Sequence, residues 1–145
     1  MLCFRGGPAR RTPMRSRHLI LLVDDDVEVR LGVADLLQDL GLEVRHAESG
    51  LEALDVVRSE LVHAAVLDMY MPGCTGFEAL PLLHRERADL PCIVYSGRWT
   101  LDLEQAVIEA GALACLKKPV EPDALRREVR RALGLDPLGT RGGLN

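Results

Sequence analysis

Carboxylates stand directly after apolar runs at two places in this chain, and a hydroxyl and an ammonium do so at two more. Asp24-Asp25-Asp26 follow the run ending at Val23, Asp68 follows Leu67, Ser96-Gly97 follow Tyr95, and Lys118-Pro119 follow Leu116-Lys117. Brought together, several carboxylates repel one another, and a hard divalent cation with oxygen ligands is the natural remedy. Magnesium suits such a cluster because it takes a few carboxylates, keeps waters and binds phosphate oxygens. A carboxylate can also attack phosphorus and form an acyl phosphate. Phosphoryl transfer spreads charge over the equatorial oxygens, which a cation, the Lys118 ammonium and the Ser96 hydroxyl could share. Gly97 lacks a side chain, so such a group could approach its backbone closely.

Each of these residues also has a plain structural use. Asp24 and Asp26 could cap a helix and favour its positive end. Asp68 could be a turn residue before Met71-Pro72-Gly73. Ser96 could be the next helix cap, and Lys118 a solvated charge. What sets them apart is shared position: each follows an apolar segment of strand type.

The elements that must position them alternate along the chain. Residues His18 to Val23 read as a strand buried on both faces and His63 to Leu67 as another buried strand, with Leu42 to His46, Pro91 to Tyr95 and Ala112 to Leu116 as further strands. Between them lie helical periods. Val29, Val33, Leu36, Leu37 and Leu40 form the first, stopped by Gly41. Ser49 is read as the N-cap of the second, with Glu52 completing a capping box and Leu51, Leu54 and Val57 inward. The third runs from Phe77 to Arg87, the fourth from about Trp99 to Ala110, and the fifth from Pro122 to Leu133. Pro81 falls inside the third and predicts a late start or a kink. Five such alternations imply an α/β fold, a parallel sheet covered by helices on both faces. The site then lies beyond the carboxyl ends of the strands, where strand order reverses.

Composition narrows the function classes. A chain of 145 residues is one domain of ordinary size. Aromatics are only 3%, so the core is aliphatic and there is no stacking platform for single-stranded nucleic acid. Residues 1–18 hold five arginines and no acid, which leaves 13 basic against 22 acidic residues, a balance of −9, over the rest. So acidic a body is a poor match for a DNA backbone. No apolar stretch approaches the ~18 residues of a membrane span, and the run after Arg10-Arg11 is too short for an export signal. The four cysteines show no zinc spacing, and Cys92 and Cys115 read as small buried hydrophobes in a reducing cytoplasm.

In these motifs the chain resembles the receiver domains of response regulators. Leu-Leu-Val-Asp24-Asp25-Asp26 is similar to that family's first-strand acidic motif. Asp68-Met-Tyr-Met71-Pro72-Gly73-Cys-Thr-Gly76 is similar to its phosphoacceptor strand and loop, Tyr95-Ser96-Gly97 to its switch hydroxyl, and Lys117-Lys118-Pro119 to its lysine-proline end of strand five. The resemblance runs from about His18 to Gly134. It implies a flavodoxin-like, doubly wound five-stranded parallel sheet of order 2-1-3-4-5 with five helices. It implies Asp68 as nucleophile and phosphoacceptor, with Ser96 and Lys118 holding the phosphoryl oxygens. Magnesium would be held by Asp25, Asp68 and the Tyr70 carbonyl, and by Asp24 through water. The donor would be a sensor histidine kinase or a histidine phosphotransfer protein, and the output a protein contact around Trp99 to Leu133, with the chain a monomer or a phosphorylation-dependent homodimer. One departure is Cys115, where the family often carries an aromatic ring that moves with the switch hydroxyl. Another is a bulky Tyr70 two residues after the acceptor, with Arg98 two after Ser96; both border the path of a hydrolysing water, and Tyr70 is expected to slow phosphoryl loss.

Two other readings give different tests. Asp24 and Asp26 also resemble the DxD signature of haloacid-dehalogenase-like phosphatases, with Asp24 as nucleophile and Asp26 as general acid; turnover of a simple phosphoester would reveal it. A receiver fold that never takes phosphate would act as a pure interaction module. Residues 1–17 are read as a disordered basic leader, with Met14 an alternative start, 18–134 as the receiver domain, and 135–145 as a short flexible tail with no output domain. A stand-alone single-domain receiver is expected.

Overall fold

The computed structural model describes residues 18–135. The expectations for the leader at 1–17, including Cys3, Met14 and Arg10-Arg11, and for the tail after Leu135 lie outside these residues. The elements are β1 (Leu19–Val23), α1 (Val27–Asp39), β2 (Glu43–Ala47), α2 (Gly50–Ser59), β3 (Ala64–Asp68), α3 (Gly76–Glu86), β4 (Cys92–Ser96), α4 (Leu101–Glu109), β5 (Ala114–Lys117) and α5 (Pro122–Ala132). All strand pairs are parallel, in the order β2-β1-β3-β4-β5. This is the five-stranded flavodoxin-like arrangement that the resemblance to receiver domains implies.

Strands β1, β3 and β4 are buried at every position, so their side chains feed two separate cores. On one face Ile20, Leu22, Ile93 and Tyr95 pack with Val33 and Leu37 of α1 and Leu125 and Val129 of α5. On the other, Leu21, Val23, Leu67 and Val94 pack with Ala53 and Val57 of α2, Leu80 and Leu83 of α3 and Val107 of α4. From β1 the order runs to β2 on one side and to β3 on the other, so the crevice opens at the carboxyl ends of β1 and β3.

Several local expectations are corrected. Helix α3 does not start late. It begins at Gly76, where the Thr75 hydroxyl accepts from the Glu78 amide and the Glu78 carboxylate accepts from the Thr75 amide, and it runs through Pro81. At the start of α2 only half of the expected capping box forms. Ser49 accepts from the Glu52 amide, but the Glu52 carboxylate accepts from the Glu48 amide instead. Leu51 is 72% exposed, and Ala53 takes the inward place expected of it. Helix α4 begins at Leu101 rather than Trp99, because the Thr100 hydroxyl caps it on the Leu103 amide. Ser96 is therefore not the cap of that helix.

Candidate functional site

The ladder of the sheet carries each chemical residue to the same edge. Asp68 is the last residue of β3 and pairs with Tyr95, and the Met69 amide donates to the Tyr95 carbonyl at 2.9 Å. Ser96 is the last residue of β4 and pairs with Lys117, and the Lys118 amide donates to the Ser96 carbonyl at 2.9 Å. The Asp24 amide donates to the Ala47 carbonyl of β2 at 3.1 Å. These backbone bonds fix the bases of four side chains. The Lys118–Pro119 peptide bond is cis.

The loop after β3 is shaped by glycine at two points. Gly73 has φ +79°, a left-handed turn that other residues adopt at a cost. At Gly76 a Cβ would lie 3.3 Å from both the Cα and the Sδ of Met69, so a larger residue would push the acceptor loop outward.

The side chains converge. One carboxylate oxygen from each of Asp24, Asp25 and Asp68 lies within 4.8 Å of the others. Asp24 and Asp68 are buried, whereas Asp25 is exposed. The Lys118 ammonium lies 3.0 Å from Asp68 Oδ1 and 3.4 Å from Asp24 Oδ2. Ser96 is fully buried, and its Oγ accepts from the Arg98 amide at 3.0 Å, which leaves its own proton to donate elsewhere. Tyr70, by contrast, is exposed, with the Arg98 guanidinium 5.4 Å from its ring centre.

The two buried aspartates differ in what holds them. Asp24 Oδ1 accepts from the Asp26 amide at 2.9 Å, and Oδ2 accepts from the Tyr95 hydroxyl at 2.5 Å. Asp68 Oδ1 meets Lys118 and, at 3.4 Å, the Tyr70 amide, while Oδ2 has no hydrogen-bond partner among the described residues. Burial pushes the Asp68 carboxyl above its usual value; the Lys118 hydrogen bond pulls it down, and the Asp24 charge pushes it up again. A buried carboxylate with one open oxygen beside further carboxylates is a set of hard oxygen donors, and it fits magnesium.

The same geometry removes the phosphatase roles. Both oxygens of Asp24 are engaged and the residue is fully buried, so it is not an available nucleophile. Asp26 is spent as the N-cap of α1, accepting from the Glu28 and Val29 amides, where a general acid would be needed.

Two participants escaped the sequence reading. Arg30 of α1 is buried and donates to the Asp24 carbonyl at 2.6 Å and to His46 Nδ1 at 3.1 Å. Burial and the Arg30 charge hold His46 below its usual pKa, and its Nδ1 accepts from Arg30. The second is Tyr95. By alternation it shares a face with Leu22 and hence with Asp24, two residues further on, and a buried phenol must place its hydroxyl on a partner. That requirement was the available signal. Arg30 offered only its place about one turn after Asp26.

Comparison with known proteins bears on the same residues. The model of the family described as the response regulator receiver domain matches residues 20–130. The chain is 38% identical over 116 residues to the transcriptional activator protein ExaE of Pseudomonas putida, covering 79% of this chain and 54% of that protein. It is 33% identical over 116 residues to sporulation initiation phosphotransferase F of Bacillus subtilis, covering 80% of this chain and 94% of that one. It thus spans about half of the first, and only 28% and 26% of two further transcriptional regulators that it matches. Among solved structures, a response regulator from Chloroflexus aurantiacus superposes with a TM-score of 0.78 at 32% identity, over 82% of this chain and 99% of that one.

Proposed function

The chain belongs to the response regulator receiver domain family, and on that premise we propose that Asp68 Oδ2 is the atom that accepts the phosphoryl group. The receiver domain is a phosphoacceptor module of two-component signal transduction rather than a catalytic enzyme. The single observation that carries the assignment is the contrast between Asp24, with both oxygens bonded, and Asp68, with Oδ2 open.

In the step itself, Asp68 Oδ2 forms a bond to phosphorus as the bond from phosphorus to the donor atom breaks. The donor leaves with that electron pair, and no proton is removed from Asp68. Lys118 already lies on Asp68 Oδ1, where it stabilises the acyl phosphate and its oxygens. The Ser96 hydroxyl has a free proton and donates it to a phosphoryl oxygen on rotation. Asp25, Asp68 and the Tyr70 carbonyl would hold magnesium, with Asp24 reaching it through water. Bound there, magnesium would supply positive charge to the phosphoryl oxygens.

Receiver domains partner with histidine kinases and phosphotransferases. For this chain the donor is a phosphohistidine on such a protein, and the output is a protein contact. The face at α4, β5 and α5 supports that output. There Trp99, Cys115, Lys117 and Pro119 border a concavity of about 320 Å³, and the Lys117 ammonium lies 5.0 Å from the Trp99 ring centre. No helix among the described residues is long and apolar enough to cross a membrane.

The test is where the phosphoryl group sits. After incubation with acetyl phosphate and magnesium, the label should be lost on hydroxylamine treatment, as an acyl phosphate is, and should map to the peptide carrying Asp68. A label stable to hydroxylamine, or one on the peptide carrying Asp24, overturns the assignment.

A further inference from the structure

Tyr95 touches both signs of charge in the site. Its hydroxyl donates to Asp24 Oδ2 at 2.5 Å. The Lys118 ammonium lies 4.8 Å from its ring centre while reaching Asp68 Oδ1 at 3.0 Å and Asp24 Oδ2 at 3.4 Å. The ring is fully buried among Ile20, Leu22, Ile93 and the apolar face of α1 and α5. A phenylalanine would fill that apolar space equally well, so packing does not account for the hydroxyl. What the hydroxyl adds is a hydrogen bond to a solvent-free carboxylate oxygen that also faces the Lys118 ammonium.

We propose that Tyr95 is a positioning residue of the phosphoacceptor site: its hydroxyl holds Asp24 Oδ2 and shares that oxygen's charge, so that Lys118 remains on Asp68. The inference rests on the reading of Asp68 as the acceptor. It has two consequences of opposite sign. A donor on a carboxylate weakens that carboxylate's pull on any other positive partner. Without the phenol, Asp24 attracts a divalent ion more strongly, so magnesium binds more tightly. Asp24 also attracts Lys118 more strongly and draws it from Asp68, so phosphoryl uptake slows.

Tyr95→Phe keeps the ring and its face toward Lys118 and removes only the hydroxyl. Magnesium affinity is measured by calorimetry on the full chain with no phosphoryl donor present. Uptake from acetyl phosphate is timed at saturating magnesium, and thermal unfolding shows that both proteins are folded at the assay temperature. The expected result is a magnesium Kd lowered by about threefold or more, a fraction of one charge-assisted hydrogen bond, together with slower uptake. A phenol that merely filled space would, on removal, loosen the site and weaken both. Weakening of both, no change in either, or a change in one alone overturns the proposal. If the wild type takes up no phosphoryl group, the reading of Asp68 fails, and the magnesium arm alone decides this inference: affinity unchanged or lower in Tyr95→Phe overturns it.

Discussion

Asp24 and Asp68 are both buried aspartates at strand ends, yet their hydrogen bonds give them different work. Residue type and spacing were legible in the sequence for Asp24, Asp25, Asp68, Ser96 and Lys118. Which oxygen stays open was not, because the partners that decide it come from afar. Tyr95 lies 71 positions from Asp24, and the burial of Arg30 is known only once α1 packs on β1 and β2. Tyr70 gives a prediction at this scale. It is exposed two residues after Asp68, and Arg98 lies over its ring; on the proposed reading the pair would narrow the approach of water to the acyl phosphate. Tyr70→Asn should shorten the phosphoryl half-life several-fold, followed as loss of phosphate after the donor is removed. An unchanged half-life would assign Tyr70 no part in the lifetime.

At the scale of the element, strand identity was legible and strand ends were not. Apolar runs mark Leu67 and Tyr95 as terminal, but the ladder continues one residue, to Asp68 and Ser96. The reason is physical: backbone pairing does not require an apolar side chain, so the polar residue that faces the crevice is still held by the sheet. The helix starts were misread where local polar groups decide. Thr100, not Trp99, opens α4, and the capping box at Thr75 carries α3 back to Gly76 ahead of Pro81. Gly76 is a junction sensitive to volume, with Met69 against it at both backbone and sulfur. Gly76→Ala should destabilise the fold by about 1–3 kcal/mol, as overpacking does, and should slow uptake at Asp68 through the displaced loop. Equal midpoints in urea for the two proteins would contradict the close packing. Burial also pushes the thiol of Cys92 up to about 12 and that of Cys115 up to about 11. Neither should react with iodoacetamide at pH 8 in the folded state, whereas both should after unfolding; modification of either in the native protein would contradict the assigned core.

For the whole molecule, fold class followed from five alternations and the parallel rule, since helices must cross over both faces of such a sheet, while the strand order came from the resemblance to receiver domains. The price of the site is a collection of like charges at one edge, with Lys118 as the close cation and Asp68 raised by burial. A ligand that binds only the native state offsets that repulsion, by about 2.7 kcal/mol at a hundred times its Kd. Magnesium should therefore raise the melting temperature of the wild type, and the increment should shrink in Asp25→Asn. An equal increment in both would place the ion elsewhere.

The proposed chemistry is a phosphoryl group accepted by Asp68 in a site that needs a divalent cation. Intact mass after incubation with acetyl phosphate tests it most directly, on wild type and Asp68→Asn, each with and without magnesium. A gain of one phosphoryl group is expected in the wild type with magnesium, and none in the variant or when magnesium is absent. No gain in folded wild type, or an equal gain in Asp68→Asn, would contradict it.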